Sequence, residues 1–219
     1  MITCLMASHN KPDYIKEAIE SVQKQTFQNW TLIVMDSGIL FKSLVFHDER
    51  IKIFVSGESK QTRMVKAMAP WCFNECFRRS LINDGLIVYM GDDDIWYENA
   101  FETFVEFHNE YKVDAMYASQ DIGYHFKDGS RYVLGERRAI EPMGKFGNKF
   151  ISMDCKVDMM QFCHTKRVWT SWPDGKDTES HADGVFMDRI GRSVTVYPID
   201  IKVSQNRRTP FSTYAPTRN

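Results

Sequence analysis

Four apolar runs, each five to seven residues long, recur down the first half of the chain, and each is separated from the next by polar or amphipathic sequence. They are "ITCLMA" (2–7), "WTLIVMD" (30–36), "IKIFVS" (51–56) and "LIVYM" (86–90). Runs this short and this continuously apolar read as strands buried on both faces, which is the signature of a parallel sheet rather than of a half-solvated antiparallel one. The intervening segments carry helix periodicity. After Asn10, Pro12 and Asp13, the apolar residues Ile15, Ala18, Ile19 and Val22 fall at i, i+3, i+4 and i+7. A second helix is expected after Pro70, with Phe73, Cys76, Phe77 and Ser80 on one face. A third carries Phe101, Phe104, Val105 and His108. "DAMYASQ" (114–120) reads as a further strand. Alternation of this kind predicts an α/β fold, a mostly parallel central sheet flanked by helices.

The second half is less regular. "DGSRYVLGERR" reads as a hairpin or loop, Met153 to His164 as a strand, Ala182 to Ile190 as a short helix and "SVTVYPI" (193–199) as a strand. The expectation is one domain over 1–219, within 219 residues that suffice for a sizeable core. Its parts would be a ligand-binding half (1–120), an acceptor-side half (121–205) and a tail or lid (206–219).

In parallel sheets, ligands bind beyond the carboxyl ends of the strands. Three polar clusters stand there: Ser8-His9-Asn10, Asp36, and the triplet Asp92-Asp93-Asp94 after Gly91. Three adjacent carboxylates repel one another, so a cation is expected on them. An oxygen-only site suits Mg²⁺ or Mn²⁺, which are held by one or two carboxylates together with substrate phosphates. The competing reading is a solvated turn capping the next helix.

Charge and cysteine usage narrow the classes. The formal net charge is -1, which gives no global field for nucleic acid or anionic lipid. No window reaches the roughly 18 apolar residues of a membrane span, and the N-terminal residues lack the pattern of a signal peptide. Five cysteines, an odd number, suggest reduced thiols and a cytoplasmic protein. Cys72, Cys76, Cys163 and His164 are a conceivable zinc set, but two cysteines four apart in an amphipathic helix are more often core residues. Nucleotidyl transfer would call for a glycine-rich phosphate loop near the N-terminus, and "MASHNKPDY" has none.

The pieces "HNKPDYIKEAIESV", "QTFQNW", "LIVMDSG", "YMGDDDIWYENAFE" and "TESHADGVFMDRIG", in that order, resemble family 2 glycosyltransferases, over roughly residues 1–205. The resemblance implies the GT-A fold and transfer of a sugar, with inversion, from a nucleotide-sugar donor, UDP-linked in the first instance, to a hydroxyl-bearing acceptor such as a saccharide. It implies that Asp36 accepts a hydrogen bond from the base, that Ala7, Ser8 and His9 line the nucleotide pocket, and that Arg63 and Asn74 lie near the base or diphosphate. Asp92 would approach the ribose, Asp93 would bind the metal, Asp94 would be a second ligand or support, and Asp183 would be the general base. Gly91 stands where many members have aspartate, and Ser8-His9 where many have Thr-Tyr.

Asp158 is a rival base. It lies six residues before His164, so an extended chain would place both on one face, as a pair orienting the acceptor pocket. In the tail, Arg207 or Arg208 would pair with the diphosphate as part of a lid, guanidinium groups matching phosphate geometry. A nucleic-acid acceptor is the variant reading, through a patch of Arg78, Arg79, Arg207 and Arg208 with Phe211 and Tyr214 stacking on bases. A non-catalytic sugar-nucleotide-binding protein is the alternative from another class.

Overall fold

The computed structural model describes residues 1–9, 11–37, 46–57, 60–125, 130–178 and 180–209. Asn10, Phe211 and Tyr214 lie outside the described residues, as does the side chain of Arg63.

The first strands form where the apolar runs predict them: β1 (Ile2–Ser8), β2 (Trp30–Asp36), β3 (Ile51–Val55) and β4 (Leu86–Gly91). They lie side by side in the order β3-β2-β1-β4, all parallel. Helix α1 (Pro12–Gln23) carries its proline in the first turn, where the missing N–H costs nothing. The short α2 (Lys60–Val65) precedes α3 (Met68–Arg78), which starts two residues before Pro70 and ends before Ser80, so Ser80 is exposed and outside the helix face predicted for it. A two-residue strand, β5 (Ile95–Trp96), follows the aspartates, and α4 (Ala100–Tyr111) leads into β6 (Ala115–His125).

Alternating side chains on each strand feed two separate cores. Ile2, Cys4 and Met6, Leu32 and Val34, and Val88 and Met90 pack on one face against Ile15, Ile19 and Val22 of α1 and Phe101 and Phe104 of α4. Leu5, Ile33, Met35, Ile87 and Tyr89 pack on the other, against Cys72, Phe73 and Cys76 of α3. That face is completed by Phe186, Met187 and Ile190 of α5 (Ala182–Gly191). Period-2 alternation with both sets apolar is why these strands show no polar face in the sequence. Cys72, Cys76 and Cys163 are buried in these cores. Among the described residues they do not join His164 in a metal-ligand group.

Beyond β4 the sheet departs from the sequence reading. Residues 153–164 are not one strand. A turn and a 3-10 segment over Met159–Gln161 come first, and only Phe162–Thr165 forms a strand, β10, inserted antiparallel between β4 and β6. The cause is a reciprocal cap: Asp158 accepts from Met160 N at 3.0 Å, and Gln161 Oε1 accepts from Asp158 N at 3.0 Å. "DGSRYVLGERR" contributes β7 (Arg131–Arg137) on the edge of β6, and β8 (Met143–Phe146) and β9 (Lys149–Ile151) form a hairpin. The last strand, β11 (Thr195–Arg208), is 14 residues long and pairs parallel with β6 from Tyr197 to Arg208. It takes in residues 206–208, so Arg207 and Arg208 belong to the sheet and not to a mobile tail. No helix among the described residues is long and apolar enough to cross a membrane.

Candidate active site

The chain crosses from β3 back to β4 beside β1, and the carboxyl ends of β1 and β4 lie together: Ala7 is opposite Gly91, and Ser8 is opposite Asp36 on β2. A reversal of strand order of this kind leaves a crevice at the strand ends. Two cavities open there. One, of about 350 Å³, is lined by Ala7, Ser8, His9, Ser37 and the acidic loop, with Met68 and Ala69 of α3 on its far side. The other, of about 480 Å³, is lined by Arg137, Asp158, Asp183, Asn206 and Arg208. Lys11, Asp93 and Asp94 line both and form the wall between them.

The acidic triplet is buried rather than solvated; Asp92, Asp93 and Asp94 are 4%, 7% and 4% exposed. Its first counter-charge is Lys11, which the sequence reading passed over as part of a helix start. Lys11 Nζ lies 2.8 Å from Asp93 Oδ2 and 3.2 Å from Asp92 Oδ1. Burial alone would lower the lysine pKa, but the two carboxylates outweigh it and hold the ammonium raised above its ordinary value. A basic residue just after β1, on the same rim as the acidic turn after the neighbouring β4, was the available signal. The backbone N–H of His9 donates to Asp92 at 2.8 Å, and His9 Nδ1 contacts Ser37 Oγ at 2.9 Å. Thr209 Oγ1 donates to Asp93 at 3.1 Å. Arg207 N donates to Asp94 at 2.7 Å, and the Arg207 guanidinium donates to the Asp93 carbonyl and pairs with Glu17.

This charge is still not fully balanced. Burial raises the Asp92 pKa despite Lys11, and burial, then Asp93 and Asp158, raise that of Asp94 well above the carboxylate range. A Cβ built on Gly91 would stand 3.1 Å from Asp94 Oδ2 and 3.2 Å from Asp93 Oδ1. Glycine therefore leaves open a cradle faced by two hard carboxylate oxygens that Lys11 does not occupy. That donor set fits Mg²⁺ or Mn²⁺.

Asp183 stands in the first turn of α5, where the helix dipole favours its charge. Burial wins instead: together with the nearby Asp158 carboxylate it pushes the pKa up to about 6. Asp158, the rival base, is committed to structure. Besides the 3-10 cap it accepts from Gln120 at 3.3 Å, Arg137 at 3.2 Å and Asn206 at 3.4 Å. Its partnership with His164 is not found, because the intervening turn breaks the extended path. His164 is fully buried, contacts Tyr89 OH at 2.9 Å, and packs against Phe162 and Phe186. Burial lowers its pKa to about 4, so it is a neutral core histidine and not part of an acceptor pocket.

Other expectations shift as well. Asp36 is 1% exposed and lines neither cavity; its neighbour Ser37 reaches the smaller one. Asn74 points into the protein. Its amide donates to Trp172 O at 3.0 Å and Asp174 at 3.3 Å, and accepts from Trp172 N at 2.9 Å, stapling α3 to residues 172–174. Asn74→Ala is expected to cost about 2–4 kcal/mol in urea unfolding, since it strands buried backbone groups, while leaving nucleotide affinity unchanged. A parallel loss of affinity would restore the ligand-contact reading. The basic patch is absent: Arg207 has a fully buried side chain, and Arg78 and Arg79 both pair with Glu75. Of the four, Arg207 and Arg208 line the larger cavity.

The family described as Glycosyl transferase family 2 matches residues 3–166. The chain belongs to this family. Its matched part holds β1, the acidic loop and Lys11. Protein CgeD of Bacillus subtilis (strain 168) is 24% identical over 221 residues, 96% of this chain and 51% of that protein. The Escherichia coli UDP-Glc:alpha-D-GlcNAc-diphosphoundecaprenol beta-1,3-glucosyltransferase WfgD is 28% identical over 126 residues, 56% of this chain and 46% of that protein. The chain thus spans about half the length of the curated relatives it matches. Among solved structures, S. aureus TarS 1-349 superposes with a TM-score of 0.61 at 12% identity over 95% of this chain and 60% of that one. Its complex with UDP-GlcNAc gives 0.62 at 13%, over 94% and 58%. At such identity the likeness establishes the fold, the GT-A arrangement expected from the sequence.

Proposed function

We propose that this chain transfers a sugar, with inversion, from a UDP-sugar to the hydroxyl group of a saccharide acceptor. The observation that carries this reading is the pair of cavities sharing one acidic wall. The smaller has the strand-end residues Ala7, Ser8 and His9 for a nucleotide. The larger has a poised carboxylate, Asp183, for an acceptor. Ser8 Oγ is buried on the nucleotide side with no hydrogen-bond partner among the described residues, a group that a bound nucleotide would satisfy. UDP is preferred because UDP-GlcNAc and UDP-Glc appear in the descriptions of the TarS complex and of WfgD.

Asp93 and Asp94 would hold a Mn²⁺ or Mg²⁺ ion, which supplies Lewis-acid stabilisation of the departing diphosphate. The remaining steps fall to the chain. Lys11 fixes the acidic wall. Arg208, on the cleft lining, offers a guanidinium to phosphate oxygens. Asp183, ionised above about pH 6, takes the proton of the attacking hydroxyl. Asp158, with Arg137 and Asn206, builds the floor of the acceptor cleft.

A thermal-shift comparison of nucleoside diphosphates and nucleotide sugars, with and without Mn²⁺, tests the donor side. Ligand at 100 times its Kd stabilises by about 2.7 kcal/mol, roughly 5–10 °C for a chain of this size. UDP compounds with Mn²⁺ are expected to give that shift. No shift with any nucleoside diphosphate would overturn the proposal.

A further inference from the structure

At the edge of the larger cavity, which Asp154 and Cys155 help to line, three unlike side chains converge: Asp154, Cys155 and His181. Their ligand atoms lie within 4.8 Å of one another, the one such group among the described residues. Cys155 Sγ is 3.7 Å from Asp154 Oδ1 and 3.9 Å from His181 Nδ1, and His181 Nδ1 is 3.7 Å from Asp154 Oδ1. Tetrahedral zinc with ordinary bond lengths to sulfur, nitrogen and oxygen would set these edges at about 3.4–3.6 Å. The three atoms therefore already outline one face of a zinc tetrahedron, and small side-chain rotations would close it.

The placement is built by the fold. Asp188 of α5 accepts from Ser152 Oγ at 2.6 Å and Met153 N at 2.7 Å, tying the 152–155 turn to the helix. A Cβ at Gly184 would collide with Asp154, so glycine there lets the turn approach the first turn of α5. Cys155 adopts φ 59° and is exposed, whereas Cys4, Cys72, Cys76 and Cys163 are buried. The mixed sulfur, nitrogen and oxygen set matches zinc rather than Mg²⁺ or Mn²⁺.

We propose that Asp154, Cys155 and His181 bind one zinc ion, Cys155 releasing its proton to solvent on ligation, with the fourth coordination position turned toward the acceptor cleft. Three protein ligands with one position open is the arrangement of zinc sites that exchange water or substrate. The ion would bolt the 152–155 turn to the helix that carries Asp183.

The test is a titration of the full chain with Co²⁺, read by the thiolate-to-cobalt charge-transfer band and tetrahedral d–d bands, followed by displacement with Zn²⁺ against a chromophoric chelator. The charge-transfer band is expected to saturate at one equivalent. Cys155→Ser should abolish the charge-transfer band. His181→Ala should weaken zinc by more than about 100-fold, since even partners outside the ligand shell contribute roughly 10–100-fold. Asp93→Asn should leave the band unchanged. Both ligand substitutions are at exposed positions, and matching melting curves without metal confirm folding. No band in the wild type, a band retained in Cys155→Ser, or one lost in Asp93→Asn would each overturn the site. The oxygen-only cradle at Asp93 and Asp94 produces no thiolate band, so this outcome is independent of the donor screen.

Discussion

Asp183→Asn is expected to lower the rate of sugar transfer by about 10²–10⁴-fold and, at the same time, to raise the melting temperature at pH 8. The two effects have one source. Asp183 titrates near 6 in the folded protein, against an ordinary value of 3.8. A carboxyl group whose folded pKa is raised binds its proton more tightly when native. Its contribution to stability is therefore fully present below 3.8 and is lost as pH rises through about 6. Above pH 6 the folded chain carries an unfavourably buried charge. That charge is what a general base needs, and it costs about 1–3 kcal/mol once partial solvent access is allowed for. Asparagine removes the charge, and with it both the cost and the catalysis. The gain in stability should vanish below pH 4, where the wild-type side chain is neutral. Correspondingly, kcat/KM of the wild type should rise tenfold per pH unit below 6 and level above it. A variant that loses activity without gaining stability at pH 8, or a flat pH profile between 5 and 7, would remove Asp183 from the role of base.

The strands that place the site were legible because each is buried on two faces. β1, β2 and β4 are unbroken apolar runs, and their ends bring Ser8, Asp36 and Asp92 to one rim without any knowledge of contacts between distant residues. β11 was legible only at its start. Its pairing with β6 slips between Ile199 and Lys202 and again between Lys202 and Ser204, so the two-residue alternation that would extend the strand to Arg208 is broken. Arg207 consequently read as a tail residue although its side chain is buried against the acidic loop. β10 is four residues long and joins the sheet between strands remote in sequence, which no local pattern encodes. The segment before it did carry a local signal: Asp158 and Gln161 have the spacing of a reciprocal cap, and that outweighed the apolar alternation of 153–164. Lys11 was missed for a different reason. Its position before Pro12 is explained well enough by helix initiation, and its ion pairs to Asp92 and Asp93 bridge more than 80 residues.

Those ion pairs give the second large effect. Lys11→Met is expected to destabilise the chain by about 2–4 kcal/mol at pH 7, because removing one partner of a largely buried ion pair leaves its counter-charges uncompensated. Asp92 and Asp93 are 6% and 9% exposed at the side chain and Lys11 is 22% exposed, so the full cost of a deeply buried pair is not reached. The pH dependence has a definite sign. Without the ammonium, which acts to lower their pKa values, Asp92 and Asp94 hold their protons to higher pH than in the wild type. Acidification neutralises them, and the difference in stability between variant and wild type should shrink as pH falls from 7 toward 4. The decisive comparison is with manganese. A dication held in the proposed cradle over Gly91 would supply to Asp93 and Asp94 the positive charge that Lys11 no longer supplies, so Mn²⁺ should raise the melting temperature of Lys11→Met more than that of the wild type. A methionine side chain fills the volume of the lysine stem, which keeps packing from confusing the result. Equal shifts in the two proteins would mean that ammonium and metal act on separate sites. A larger manganese effect in the variant, lost again when Asp93→Asn is added, would place both cations on one acidic wall.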